Sequence, residues 1–196
     1  MFSEAARKYS RIFLEPVARF ISRTGISPNV VTVTGFLLMI GVAVVLAWGN
    51  LFWGGILIIG VALFDAIDGT LARMMGRTSR FGAFLDSTLD RFSEAVIYLG
   101  IFIYLSEQNL RLELILIYAT VVGSLMVSYA RARAEGIGVP LKDGLFTRFE
   151  RVFLLVVGLI LNQLTLVLWL LAIFSNLTAV HRMYLVWRIT GGEEGG

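Results

Sequence analysis

Residues 65–91 read DAIDGTLARMMGRTSRFGAFLDSTLDR and place four aspartates, Asp65, Asp68, Asp86 and Asp90, inside an otherwise oily chain. The run before them, LFWGGILIIGVALF, carries no charge, and IYLGIFIYL follows soon after. Ionised carboxylates are costly in apolar surroundings, so charges retained there are paired or have a task.

The rest of the chain sets the surroundings. Of its 196 residues, 57% are hydrophobic, against about 45–50% in a typical soluble domain. With a mean hydropathy of +0.80, the chain reads as a polytopic membrane protein. Cysteine is absent, which excludes a disulfide framework and thiolate metal ligands. The start of the chain shows no short apolar stretch with a small-residue cleavage site, so no secretory signal peptide is expected.

A spanning helix needs roughly 20 mostly apolar residues. Six segments qualify, near 28–49, 52–74, 84–105, 110–132, 147–163 and 165–187, with Asn162–Gln163 as the turn between the last two. The expected fold is an all-α integral membrane protein with six transmembrane helices and an N-terminal interfacial amphipathic helix. Residues 3–23 supply that helix: Ile12, Phe13, Val17, Phe20 and Ile21 can share one face, opposite Lys8, Arg11, Glu15 and Arg19. The expected domains are a juxtamembrane segment at 1–27, a six-helix catalytic domain at 28–190 and a disordered tail at 191–196.

Sixteen of the seventeen Lys and Arg residues lie on one side, in the terminal segments and even-numbered connections or at the span ends that adjoin them, and Arg111 is the exception. By the positive-inside rule both termini face the cytoplasm, and the basic charge meets anionic lipid of the plasma membrane rather than nucleic acid.

Asp65 and Asp68 are three residues apart, and Asp86 and Asp90 four apart, so each pair shares a helix face. The topology brings both pairs to one depth near the cytoplasmic surface. Crowded carboxylates repel unless protonated or bound to a cation. Oxygen donors without His or Cys nearby favour Mg²⁺ or Mn²⁺. Gly69 lets backbone approach a ligand, Arg73 can reach a phosphate, and Gly82 opens a second gap. This combination suits phosphoryl-group chemistry.

These residues fill the pattern D-x2-D-G-x2-A-R-x8-G-x3-D-x3-D with Asp65, Asp68, Gly69, Ala72, Arg73, Gly82, Asp86 and Asp90. In this the chain resembles the CDP-alcohol phosphotransferase family, membrane enzymes of six spans that move a phosphatidyl group from a CDP-lipid to an alcohol and release CMP. The resemblance implies that Asp65, Asp68 and Asp86 ligate two divalent ions, that Asp90 contacts one of them, and that Asp90 is the general-base candidate. It places Asn29, Val30, Val31, Thr32, Gly69, Ala72, Arg73, Ser79 and Gly82 around the CDP-lipid. Asn29 and Thr32 also suit ordinary capping of a helix start. Homodimers are common in the family.

Arg131, Arg151 and Arg182 lie at the level of the aspartates. An arginine cluster beside a metal site calls for an anionic second substrate, a phosphate rather than choline, ethanolamine or serine. The stretch SYARARAE and the following Glu150-Arg151 resemble the family's prokaryotic phosphatidylinositol-phosphate synthases, which use myo-inositol 1-phosphate. That resemblance gives Ser128, Arg131, Arg151 and Arg182 to the acceptor phosphate and CDP-diacylglycerol as donor. Glycerol 3-phosphate as acceptor and an archaeal-type ether lipid as donor are the rivals within the class. A cation or proton transporter is the rival from another class. It calls for acidic residues in both halves of a pore, and the reading assigns the far half none.

Overall fold

The computed structural model describes residues 27–74, 79–141 and 146–191, and the side chains of all of these but 66–74. The predicted interfacial helix at 3–23 and the tail beyond residue 191 lie outside the described residues. Within them the fold is all-α. Six helices follow one another: α1 (Pro28–Ala47), α2 (Leu51–Met74), α3 (Arg80–Glu107), α4 (Arg111–Gly136), α5 (Arg148–Ile160) and α6 (Leu164–Thr190).

Local chemistry explains where the helices start and stop. Pro28 sits in the first turn of α1, where its missing N–H is no loss. Ser79 caps α3, its Oγ accepting from the Gly82 N–H at 2.8 Å. Thr147 and Glu150 form a capping box at the start of α5, with the Thr147 N–H donating to Glu150 Oε2 at 2.9 Å. At the opposite ends, the turns at 48–50, 108–110 and 161–163 each hold a left-handed residue: Gly49 at φ 80°, Asn109 at 57° and Asn162 at 54°. Glycine and asparagine are the residues that take this conformation at least cost. The turn expected at Asn162 is therefore present.

Tertiary contacts set the direction of each helix. Gly35 of α1 faces Asp65 of α2, while Leu46 of α1 faces Gly54 near the other end of α2, so this pair is antiparallel. Asn29 lies beside Gly82, and Ala43 beside Gly100, so α1 and α3 run parallel. Glu113–Thr165, Ala119–Asn176 and Val127–Arg182 hydrogen bonds tie α4 to α6 in parallel. Gly158 packs on Val167 between α5 and α6. One apolar core joins all six helices, with Leu46, Ile58, Ile101, Leu116, Leu159, Leu168 and Leu171 at its centre.

Outside that core the surface is also apolar. Leu37, Leu38, Phe52, Leu63, Ile115, Leu166, Ile173 and Leu177 are exposed. Trp48 and Trp53 mark one end of the bundle, and Tyr184 and Trp187 the other. Apolar sides with aromatic ends are what a bilayer selects. Among the described residues α1, α4 and α6 are long and apolar enough to cross a membrane, and α2 opens with a shorter apolar stretch to Asp65. The protein is a membrane protein.

Candidate active site

The antiparallel course of α2 and α3 carries the end of one helix to the start of the other, and there the acidic cluster assembles. Ligand oxygens of Asp65, Asp86 and Asp90 all lie within 4.8 Å of one another. All three side chains are half-buried, so water does not fully screen their mutual repulsion. Asp68 lies on α2, one turn beyond Asp65, and its side chain falls outside the described residues, as do those of Gly69, Ala72 and Arg73. Three carboxylates with no soft ligand beside them among the described residues are a donor set for a hard divalent cation.

Two helix starts adjoin the cluster. A methyl group added at Gly82 would sit 3.0 Å from both Asn29 Oδ1 and Ser79 Oγ, so it would press on side chains from the first turns of both α1 and α3. Asn29, Ser79 and Gly82 thus share one small space. Thr32 is buried one turn along α1, and its hydroxyl donates to the Pro28 carbonyl at 3.1 Å. Val31 is buried, whereas Val30 is exposed. Gly35 brings α1 close to Asp65, a contact the sequence reading did not include.

α5 adds two further residues. Arg148 Nη1 lies 2.6 Å from Asp90 Oδ1 and 3.8 Å from Asp65 Oδ2. One turn on, Arg151 is fully buried and forms a two-point ion pair with Glu94, and its Nη1 donates to the Phe146 carbonyl at 3.4 Å. Asp86, Asp90 and Glu94 follow at four-residue spacing along α3, and Arg148 and Arg151 at three-residue spacing along α5. The two faces meet as rungs, Arg148 on Asp90 and Arg151 on Glu94. Neither Arg148 nor Glu94 is among the site residues expected from sequence, though both spacings are signals there.

The three predicted acceptor arginines gather on α4, α5 and α6. Arg182 is buried, its Nη1 donating to the Val127 carbonyl at 2.6 Å and its Nε without a hydrogen-bond partner. It interacts electrostatically with both Arg131 and Arg151. Arg131 is exposed and pairs with Glu135 within α4 at 2.8 Å. Ser128 points elsewhere, into a groove between α3 and α4 with Ser87, Arg91 and Tyr129. Two acidic residues do lie in the far half of the bundle, Glu107 and Glu113. Glu107 is exposed and Glu113 accepts from the Thr165 hydroxyl at 2.9 Å.

An all-helical membrane protein with a half-buried carboxylate cradle, arginines beside it and glycine-lined space at two helix starts is a metal-dependent phosphotransferase in its design. The chain belongs to the CDP-alcohol phosphatidyltransferase family, whose model matches residues 25–186. It is 37% identical over 204 residues to a phosphatidylinositol phosphate synthase of Streptomyces avermitilis, covering 96% of this chain and 83% of that one. It is also 37% identical over 172 residues to an archaetidylinositol phosphate synthase of Pyrococcus horikoshii, covering 87% and 89%. Its fold matches the crystal structure of Mycobacterium tuberculosis phosphatidylinositol phosphate synthase with CDP-DAG bound, at a TM-score of 0.86 and 33% identity over 89% of this chain and 94% of that one. The same enzyme in complex with manganese and citrate gives 0.83 and 32%, with 89% of each chain covered. The chain is therefore an enzyme of phospholipid biosynthesis that uses a divalent metal, Mg²⁺ or Mn²⁺.

Proposed function

We propose that the protein transfers the phosphatidyl group from CDP-diacylglycerol to myo-inositol 1-phosphate, giving phosphatidylinositol phosphate and CMP. The observation that carries the acceptor is buried Arg182, which donates to the Val127 carbonyl one turn before Arg131, keeps an unpartnered Nε, and lies within electrostatic reach of both Arg131 and Arg151. A cationic cluster of this kind suits an acceptor that brings its own phosphate. The Streptomyces and Pyrococcus relatives, named for a phosphatidyl and an archaetidyl product, share the inositol phosphate and differ in the lipid.

In this reading Asp65, Asp68, Asp86 and Asp90 hold two divalent ions, which when bound neutralise the pyrophosphate of the donor. Asn29, Val30, Val31 and Thr32 at the start of α1 line the CDP site with Gly69, Ala72, Arg73, Ser79 and Gly82. Arg131 and Arg182 take the acceptor phosphate, whereas Ser128 lines the groove between α3 and α4. Arg151, anchored by Glu94, stands within electrostatic reach of Arg182 and helps to set its charge environment. Asp90 accepts the proton of the inositol hydroxyl. The freed oxygen bonds to the β-phosphorus, the bond from that phosphorus to the bridging oxygen breaks, and CMP leaves with the electron pair. Positioning and charge neutralisation suffice, with no covalent enzyme intermediate.

The six helices are six spans, with both termini and the cradle on the cytoplasmic face of the plasma membrane, as the distribution of Lys and Arg supports. The enzyme acts as a homodimer, and exposed Phe84, Phe92, Leu125 and Tyr129 along α3 and α4 offer an apolar face for it.

The test is an acceptor panel. Purified protein with Mg²⁺ or Mn²⁺ is given CDP-diacylglycerol or its ether-lipid counterpart, and myo-inositol 1-phosphate, glycerol 3-phosphate, free inositol or serine. CMP release that requires inositol 1-phosphate supports the reading. Equal release with glycerol 3-phosphate, or release only from the ether lipid, replaces the acceptor or the donor.

A further inference from the structure

Asp90 and Asp65 already share a cation in this fold, and it is a side chain. Arg148 Nη1 is 2.6 Å from Asp90 Oδ1 and 3.8 Å from Asp65 Oδ2. The guanidinium therefore stands at the mouth of the cluster whose oxygens would ligate a divalent ion. One guanidinium offsets one negative charge, and the cluster carries three carboxylates. A divalent ion offsets two and draws its oxygens to about 2.0–2.1 Å, closer than any N–H donor comes. Two cations within a few ångströms also repel each other.

The pose is not fully satisfied. Arg148 Nε is buried and makes no hydrogen bond. Stranding a donor of a charged group is costly, so attraction to the carboxylates holds the side chain there, and not a complete set of hydrogen bonds. Arg151, one turn away, is the contrast: its Nε and Nη2 both bond Glu94. Of the two rungs between α3 and α5, one is a closed pair and the other is open to exchange. The capping box at Thr147 and Glu150 fixes the backbone on which Arg148 turns. Motion of this residue then needs only its own side-chain torsions.

We propose that Arg148 is the resident cation of the aspartate cradle. It contends with the divalent ions for Asp90 and Asp65 and, once displaced, is released to the anionic substrate. The inference rests on the metal-dependent transfer described above. It gives the cradle a threshold: metal binds against a built-in competitor, and the negative charge of the arriving pyrophosphate gives the displaced guanidinium a new partner. If Arg148 instead only ties α5 to α3, its removal loosens the cradle and weakens metal binding.

The experiment is a Mn²⁺ titration followed by electron paramagnetic resonance of the free ion, on the full chain in detergent without CDP-lipid. Wild type, Arg148→Gln, Arg148→Met and, as a charge control, Arg133→Gln are compared. The expected result is Mn²⁺ binding about tenfold tighter in Arg148→Gln, with Arg133→Gln like wild type. In assays with saturating metal, turnover of Arg148→Gln falls while its half-saturating Mn²⁺ concentration also falls. Unchanged or weaker Mn²⁺ binding in a folded Arg148→Gln overturns the proposal. If that variant does not fold, Arg148→Met decides: it keeps the apolar stem without the charge, and Mn²⁺ binding no tighter than wild type overturns the proposal. A wild type that binds no Mn²⁺ defeats the functional reading itself, whereas a wild type that binds Mn²⁺ with no gain in the variants defeats only this inference.

Discussion

Arg151 and Glu94 meet in the interior at two points, Nε to Oε1 at 2.7 Å and Nη2 to Oε2 at 2.8 Å, with only 2% and 9% of the side chains exposed. Removing one partner leaves the other charge buried and alone, which costs about 3–5 kcal/mol. Arg151→Ala and Glu94→Ala should each lower the unfolding temperature sharply in detergent. The double variant Glu94→Leu/Arg151→Met should regain most of that stability, because apolar replacements of a buried pair are often neutral or better. It should nevertheless keep a raised KM for inositol 1-phosphate, since the guanidinium within electrostatic reach of Arg182 is gone. A double variant with wild-type acceptor KM would leave Arg151 a purely structural role.

Asp90 and Asp86 are one turn apart on α3 and should answer differently to the same change. Asp90→Asn removes the proton acceptor, so kcat should fall by about 10²–10⁴-fold. CDP should still protect the variant against heat. Asp86→Asn removes a ligand without touching the base. Its activity should recover in part as Mn²⁺ is raised, and that of Asp90→Asn should not. Full turnover by Asp90→Asn would sink its assignment as base.

The aspartate pattern and the helix order were legible because each rests on local spacing. Oily runs between basic connections mark the helices, and the turn at Asn162 shows in the composition around it. Carboxylates three and four residues apart declare a shared face without any tertiary knowledge. Arg148 and Glu94 were not legible in the same way. Each is an ordinary charge in its own helix and acquires meaning only when α5 comes alongside α3, a juxtaposition that depends on how α2 packs on α5 and α5 on α6. Gly35 is a similar case: its importance is the nearness of Asp65 on another helix.

Arg182 separates acceptor binding from donor binding. It is buried with one donor spent on the Val127 carbonyl and Nε unpaired. Arg182→Lys keeps a charge but loses the planar fork. KM for inositol 1-phosphate should rise by about tenfold or more, equivalent to loss of one charge-assisted hydrogen bond. KM for CDP-diacylglycerol should stay near wild type. Steady-state kinetics with each substrate varied in turn reads both, and equal increases would place Arg182 outside the acceptor site.

Gly82 gives a test in which stability and activity should move in opposite directions. It lies in the first turn of α3, and a methyl group there would sit 3.0 Å from Asn29 Oδ1 and Ser79 Oγ. Replacing a helical glycine by alanine favours the helix by up to about 1 kcal/mol. The backbone needs no positive φ here, so the gain is opposed only at the Asn29 and Ser79 side chains, Ser79 Oγ being the cap that accepts from the Gly82 N–H. Asn29 and Ser79 must nonetheless give way, and in the proposed site both face the donor nucleotide. Gly82→Ala should therefore leave the unfolding temperature equal or higher, raise KM for CDP-diacylglycerol, and leave KM for inositol 1-phosphate unchanged. Gly60→Ala is the control, because its added methyl meets nothing within 4 Å. It should share the gain in stability and show wild-type kinetics. A Gly82→Ala enzyme with wild-type donor KM would remove the start of α1 from the nucleotide site.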